Sequence, residues 1–340
     1  MDHAKLYETA AAMVAPGKGV LAADESTGTM NKRLASIEVP QEAENRRRFR
    51  QLLFTAPEVE KYLSGVIMYD SSIRNVTDDG IAFPDLLMSR GIIPGIKVDK
   101  STVPLTNFPN EVITEGLDGL KERLEEYFDM GARFAKWRAV ISIDEDIPTD
   151  ECILANSYTL ARYAALCQEA GIVPMVEPEV LLNGTHDITQ AEQVTMHTLQ
   201  IMFNVFREYR IDLKGVILKS SMVLAGDKHA PASTPAEVAD ATLRTFHLAV
   251  PHEVPGIVFL SGGQEAIRAT QNLQEIATRG EQPWNITFSY SRAIEEPVLA
   301  AWQGKDENVD KAQKVMLHRV KMNGLAQKGE YSADLEKKGK

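Results

Sequence analysis

The sequence predicts an α/β fold, a single (β/α)8 TIM barrel of parallel strands, on three observations. Short apolar runs with strand chemistry recur eight times over about 270 residues. Longer stretches with helical spacing separate most of them. Charged residues gather where those runs end, the position at which such a barrel carries its chemistry.

In chain order the runs are GVLAADES (19–26), GVIMYDSS (65–72), GIIPGIKVD (91–99), ARFAKWRAVI (132–141), IVPMVEPEV (172–180), GVILKSSMV (215–223), GIVFLSGG (256–263) and WNITFSYSR (284–292). Helices are expected over 116–131, 150–171 and 234–250, and Gly131 and Gly171 stand where helix C-termini belong. No linker divides the chain, so residues 1–340 read as one domain with a polar, mobile C-terminal tail from about 330. A length of 340 residues with 44% hydrophobic content is ample for that core.

Composition removes several function classes. A formal net charge of −11 opposes nucleic acid and anionic membrane as partners, so any anion site must be local. No apolar run approaches the roughly 18 residues of a membrane span. The N-terminus has no charged head followed by an apolar core, and Cys152 and Cys167, roughly 22 Å apart along one helix, cannot bridge; a reduced, cytoplasmic setting is expected. The seven histidines form no HExxH and no pairing with the cysteines, so no metal site is expected. THD at 185–187 and RRR at 46–48 read as solvated segments.

The chemistry lies in the alternation of side chains along the strands. In GARFAKWRAVIS (131–142), Phe134, Lys136 and Arg138 share one strand face, so two cations stand side by side. Glu177 and Glu179 share a face with Met175, and Lys219 with Ile217. Asp24, Lys97 and Ser261 complete a set of strand-end polar residues. Taken singly, each is as readily an ordinary charge turning toward water. Together, three lysines, two glutamates and an aspartate at one barrel mouth would partner one another.

Two lysines in one mouth point to Schiff-base chemistry. An amine is nucleophilic only when deprotonated, and bringing a lysine from about 10.4 to about 7 takes roughly 4–5 kcal/mol, which desolvation and a neighbouring cation can supply. FLSGGQEAIRA (259–269) ends a strand with two glycines and opens a helix, exposing N–H groups to an anion. With Arg292 after the eighth strand, it matches the usual barrel phosphate site.

These segments carry a family resemblance. LAADESTGTMNKRL (21–34), GIKVDK (95–100), FAKWR (134–138), VEPE (176–179), ILKSSM (217–222), LSGGQ (260–264) and TFSYSRA (287–293) resemble, in order, the motifs of class I fructose-bisphosphate aldolases, from about residue 4 to 332. The resemblance implies a metal-independent and cofactor-free barrel that reversibly cleaves fructose 1,6-bisphosphate to dihydroxyacetone phosphate and glyceraldehyde 3-phosphate in glycolysis and gluconeogenesis. It implies Lys219 as the imine residue, Glu177 as general acid, Asp24 as the base for the C4 hydroxyl, Lys136 as the cation beside the imine and Glu179 as a positioning group. Arg33, Lys97 and Arg138 would serve the second phosphate, and Ser261, Gly262, Ser291 and Arg292 the first. A homo-oligomer, often a tetramer in this family, is the expected assembly.

Three departures accompany it. The family usually reads LKPNM or LKPSM where this chain has Ser220 and Ser221, which frees backbone that proline would restrict. Its FSYGR glycine is Ser291 here, which would either crowd phosphate or donate a hydroxyl to it. Animal members end in a tyrosine that helps protonate the enamine; here the sequence reads GEYSADLEKKGK, so another group is expected to serve or the step to be slower. Two other readings stand beside this one. One is a different Schiff-base lyase or transaldolase acting on another phosphorylated sugar such as sedoheptulose bisphosphate. The other is a non-enzymatic scaffold, against which the intact lysines and carboxylates argue.

Overall fold

All eight expected strands form, and they join one parallel sheet. Their polypeptide is seen in a computed structural model that describes residues 3–337. The strands are β1 (Gly19–Ala23), β2 (Leu63–Met68), β3 (Ile93–Lys97), β6 (Phe134–Ile141), β7 (Val173–Val180), β8 (Ile217–Ser220), β9 (Gly256–Phe259) and β10 (Asn285–Phe288), neighbours in that order. The Ala22 N–H donates to the Tyr290 carbonyl at 3.0 Å, which brings the end of β10 back to β1 and closes the barrel.

Strand alternation divides the core in two. Val20, Ala22, Ile67, Phe134, Val173, Met175, Ile217 and Val258 point into the barrel and pack together. Their alternates, among them Leu21, Val66, Ala135, Trp137, Val176, Leu218 and Phe259, point outward against the helices. Phe134 fills the interior because Gly95 lies beneath it: a Cβ at Gly95 would come within 2.2 Å of the ring.

Two elements were not legible in the strand pattern. Helix His3–Met13 and the residue after it send Leu6, Ala10, Met13 and Val14 into the interior cluster, so this helix stoppers the barrel's N-terminal end. A short antiparallel pair, β4 (Thr102–Pro104) and β5 (Val112–Thr114), is inserted between β3 and β6. Its hydrogen bonds are supplied within the loop, and Thr114 Oγ1 fastens it to the Arg138 carbonyl at 2.7 Å.

The expected helices run over Leu120–Asp129, Asp150–Glu169 and Pro235–Ala249, the last opened by a reciprocal cap between Thr234 and Glu237. Gly131 and Gly171 follow the first two with φ of +103° and +73°. Cys152 and Cys167 are buried and unpaired in one helix. RRR and THD are less solvated than expected. Arg47 pairs with Glu44 and Asp78, Arg48 lies over the Trp302 ring at 5.5 Å, His186 is buried, and Asp187 caps helix Ile188–Glu208. Near the C-terminus, helix Ala333–Lys337 is held by Glu336, which bonds His318 at 2.9 Å and Arg319 at 2.8 Å; the last three residues of the expected tail lie outside the described ones.

Candidate active site

The inward alternation that builds the lower barrel with apolar side chains becomes polar at the C-terminal ends of the strands. Two residues beyond Ala22 comes Asp24; beyond Gly95, Lys97; beyond Phe134, Lys136 and Arg138; beyond Met175, Glu177 and Glu179; beyond Ile217, Lys219. The register sets them side by side, with Lys97 opposite Lys136 and Arg138 opposite Glu177. The expected catalytic residues therefore converge on one cavity of about 530 Å³, within the usual range for small-molecule sites.

Their contacts form a chain across the mouth. The Lys219 ammonium lies 3.1 Å from Glu177 Oε1, and Lys136 Nζ lies 3.0 Å from Glu177 Oε2 and 2.7 Å from Asp24 Oδ2. Lys219 and Glu177 are each 3% exposed, so these charges have little water to screen them. Burial by itself would raise the Asp24 carboxyl, but Lys136 and Lys219 outweigh it and hold the group down to about 2. Glu177 is likewise lowered, its burial overcome by Lys136, Lys219 and Arg138. Burial would lower Lys136, yet Asp24 and Glu177 raise it well above the ordinary lysine range, so it remains a fixed cation.

At one side of the cavity Arg138 bonds Glu179 through Nε, and Lys97 bonds Asp99. Asp99 Oδ2 also accepts from the Arg138 backbone N–H at 3.3 Å, which fixes the two cations relative to each other. At the other side, Ser261 and Gly262 follow β9 in a turn with φ of +58° at Gly262 and +97° at Gly263. The Arg292 guanidinium lies so close to Gly263 that a Cβ there would meet it at 3.3 Å. Arg292 is exposed and forms no ion pair among the described residues, which leaves it free for an anionic ligand.

The departures find partners. Ser220 Oγ donates to the Ser221 carbonyl at 3.0 Å, a bond local to the end of β8, and Ser221 Oγ donates to the Val180 carbonyl at 2.8 Å, which ties the chain after β8 to the end of β7 without a proline. Through its hydroxyl Ser291 donates to Glu25 at 2.5 Å and accepts from Arg33 at 3.1 Å. Its φ of −107° is open to any residue. Ser289 and Asp99 escaped the sequence reading. Ser289 Oγ is buried without a hydrogen-bond partner and lines the cavity; the inward alternation through Thr287, Ser289 and Ser291 would have found it.

The arrangement joins an amine, a carboxylate within proton-transfer reach of it, a second carboxylate and cationic or N–H-rich edges. A family model described as fructose-bisphosphate aldolase class-I matches residues 5–340. The chain belongs to the class I fructose-bisphosphate aldolases. This aldolase is 51% identical over 97% of its length to a probable fructose-bisphosphate aldolase class 1 of Xanthomonas axonopodis pv. citri, 99% of which is covered. It is 46% identical to the cytosolic fructose-bisphosphate aldolase 4 of Arabidopsis thaliana, over 98% of this chain and 85% of that one. A solved fructose-bisphosphate aldolase of Plasmodium falciparum, crystallised with TRAP and a small-molecule inhibitor, superposes with a TM-score of 0.96 at 44% identity, covering 97% of this chain and 96% of that one.

The aldolase is thus a carbon–carbon lyase of glycolysis that cleaves fructose 1,6-bisphosphate reversibly by Schiff-base chemistry, and its substrate is a phosphorylated sugar. Class I members work through a lysine and without a metal. Among the described residues, no group of three or more His, Cys, Asp and Glu is placed to hold a metal ion, and no helix is long and apolar enough to cross a membrane.

Proposed function

We propose that Lys219 is the residue that forms the imine with the ketose carbonyl, and that Glu177 and Asp24, held in place by the Lys136 cation, move the protons of the reaction. The observation that carries this assignment is the 3.1 Å contact between Lys219 Nζ and Glu177 Oε1. The proton that Lys219 must lose before attack has its acceptor there. Glu177 then holds that proton beside the carbinolamine and returns it to the departing hydroxyl, so water leaves and the imine forms.

The protonated imine withdraws electrons from C3. Asp24, kept anionic by Lys136, accepts the C4 hydroxyl proton; the C3–C4 bond breaks, the aldehyde leaves, and its electron pair becomes an enamine rather than a free carbanion. Protonation at C3 and hydrolysis of the imine release dihydroxyacetone phosphate and restore Lys219. Lys136 gives no proton away; its lasting charge holds the sugar oxygens and both carboxylates in place. Glu179 positions Arg138. Arg138 and Lys97, with Arg33 nearby, serve one phosphate; Ser261, Gly262, Ser291 and Arg292 serve the other, with Ser289 added for its unpartnered buried hydroxyl.

Residues 1–340 act as one barrel domain, in a homo-oligomer and in the cytoplasm; the cytosolic and cytoplasmic names of the plant relatives support that compartment. The test is borohydride reduction in the presence of dihydroxyacetone phosphate. Inactivation with a stable adduct on Lys219, untouched by EDTA, is expected. An adduct on another lysine, or none, overturns the assignment.

A further inference from the structure

Next to the phosphate end of the cavity lies a second group of charges that the reaction steps do not use. Arg33, from helix Thr27–Ser36, places Nη1 2.6 Å from Glu25 Oε1 and 2.7 Å from Glu295 Oε2, and donates from Nη2 to Ser291. Arg50, buried on helix Ala43–Thr55, bonds the other oxygen of Glu25 and stands 3.8 Å from Glu295 Oε1. The Glu295 side chain is 0% exposed, and its Oε1 has no hydrogen-bond partner. Two carboxylates meeting on one guanidinium nitrogen, away from water, repel when both are ionised; a proton between them turns that repulsion into a hydrogen bond.

We propose that Glu295 is a positioning residue that keeps its proton and donates it to Glu25, leaving Arg33 and Arg50 balanced by one carboxylate and the cluster with a net positive charge that Arg33 presents to the sugar phosphate. The proposal rests on the assignment of Arg33 to phosphate. Burial and the Glu25 carboxylate hold Glu295 well above the usual carboxylate range, against the pull of Arg50 and Arg33. Glu25 is the opposite case: burial would raise it, but Arg50, Arg33 and the hydrogen bond from Glu295 bring it down to about 2. The polar groups facing Glu295 are Glu25 from the loop after β1, Arg33 and Arg50 from two helices, and Ser291 from its own helix cap. Glu296 and Asp24 add negative charge around Arg33. When Glu295 loses its proton, the cluster becomes neutral and phosphate binding weakens, whereas the chemistry at Lys219 is unaffected.

The test uses the full-length enzyme with fructose 1,6-bisphosphate between about pH 6 and 9, comparing wild type, Glu295→Gln and Arg33→Ala. Glutamine keeps the shape, the neutrality and a donor toward Glu25. Across that range KM and kcat of Glu295→Gln should stay within about twofold of wild type, because glutamine leaves the charge of the cluster unchanged; were Glu295 ionised, glutamine would instead lower KM by roughly fivefold, the effect of one unit charge at a few ångströms under partial screening. The substrate's own phosphate titration is common to the two proteins and cancels in the ratio. The infrared difference between wild type and Glu295→Gln at neutral pH should also contain the carbonyl stretch of a protonated carboxylic acid. A KM roughly fivefold lower in Glu295→Gln than in wild type at neutral pH, or absence of that band, overturns the role of Glu295. An unchanged KM in Arg33→Ala overturns the phosphate assignment of Arg33, and the proposal with it; a raised KM there alongside a lowered KM in Glu295→Gln overturns the Glu295 role alone. The infrared band reads Glu295 directly even if the Arg33 variant does not fold.

Discussion

Lys136 holds its ammonium 2.7 Å from Asp24, and that ion pair fixes the charge state of the site on both sides. Burial works against both ions, and each is kept charged by its partner. With Lys136→Met, burial would be opposed at Asp24 mainly by Lys219 and the more distant Lys97, so its carboxyl moves upward. The acid limb of kcat/KM is expected to shift to higher pH by about one unit, with kcat reduced by at least about a hundredfold. Unfolding free energy should fall by roughly 3–5 kcal/mol, since two buried carboxylates lose a cation. A pH–rate profile with the acid limb unmoved would refute the coupling.

Lys219→Met removes the amine while leaving an apolar stem of similar length. Cleavage activity is expected to vanish, and borohydride with dihydroxyacetone phosphate should leave the protein unlabelled in mass spectrometry. Glu177, no longer facing Lys219, keeps Lys136 at 3.0 Å, so the fold is expected to survive as judged by circular dichroism.

Stability should fall in acid for a nameable reason. Asp24 has a folded-state value of about 2 against an ordinary 3.8. Its contribution is therefore complete above the ordinary value and is lost as pH drops toward 2, an amount of about 2 kcal/mol. Glu177 is lowered as well and adds a loss of the same sign. Denaturant titrations from pH 6 to 3 should show this decline, and Asp24→Asn should have a shallower one; parallel curves would count against it.

Ser291→Gly restores the residue usual in the family and removes a hydroxyl that serves Glu25 and Arg33. Losing a hydrogen bond to a charged group is expected to cost about 1.5–3 kcal/mol of stability. Thermal unfolding checks this, and an unchanged Tm would mean that water replaces the hydroxyl without penalty.

Glu336 joins the last described helix to the barrel through His318, Arg319 and the Tyr331 hydroxyl. Arg319 is 5% exposed, so Glu336→Ala leaves a buried guanidinium with Thr270 as its remaining hydrogen-bond partner. Faster amide exchange over 331–337 and a loss of about 2–3 kcal/mol are expected. Exchange equal to wild type would show that Leu335 and its apolar neighbours hold the helix alone.

Alternation along each strand made the barrel and most of its candidate site legible from sequence alone. Met175 inside the barrel places Glu177 and Glu179 inside, Phe134 does so for Lys136, and Ile217 for Lys219, because a pleated strand returns to the same face every second residue. That regularity is local and says which face a residue takes; the roles expected of those residues came with the motif resemblance. Arg50 and Glu295 were invisible in the same text: each sits in a helix, outside the strand alternation that points side chains into the barrel, and Glu295 meets Arg33 across 262 residues of sequence. The Glu336 clasp and the helix that stoppers the barrel are of the same kind. Periodicity reports which way a side chain faces within its own element, whereas the charge state of a buried carboxyl depends on which distant cations and carboxyls the closed barrel brings within a few ångströms, and tertiary structure alone decided that.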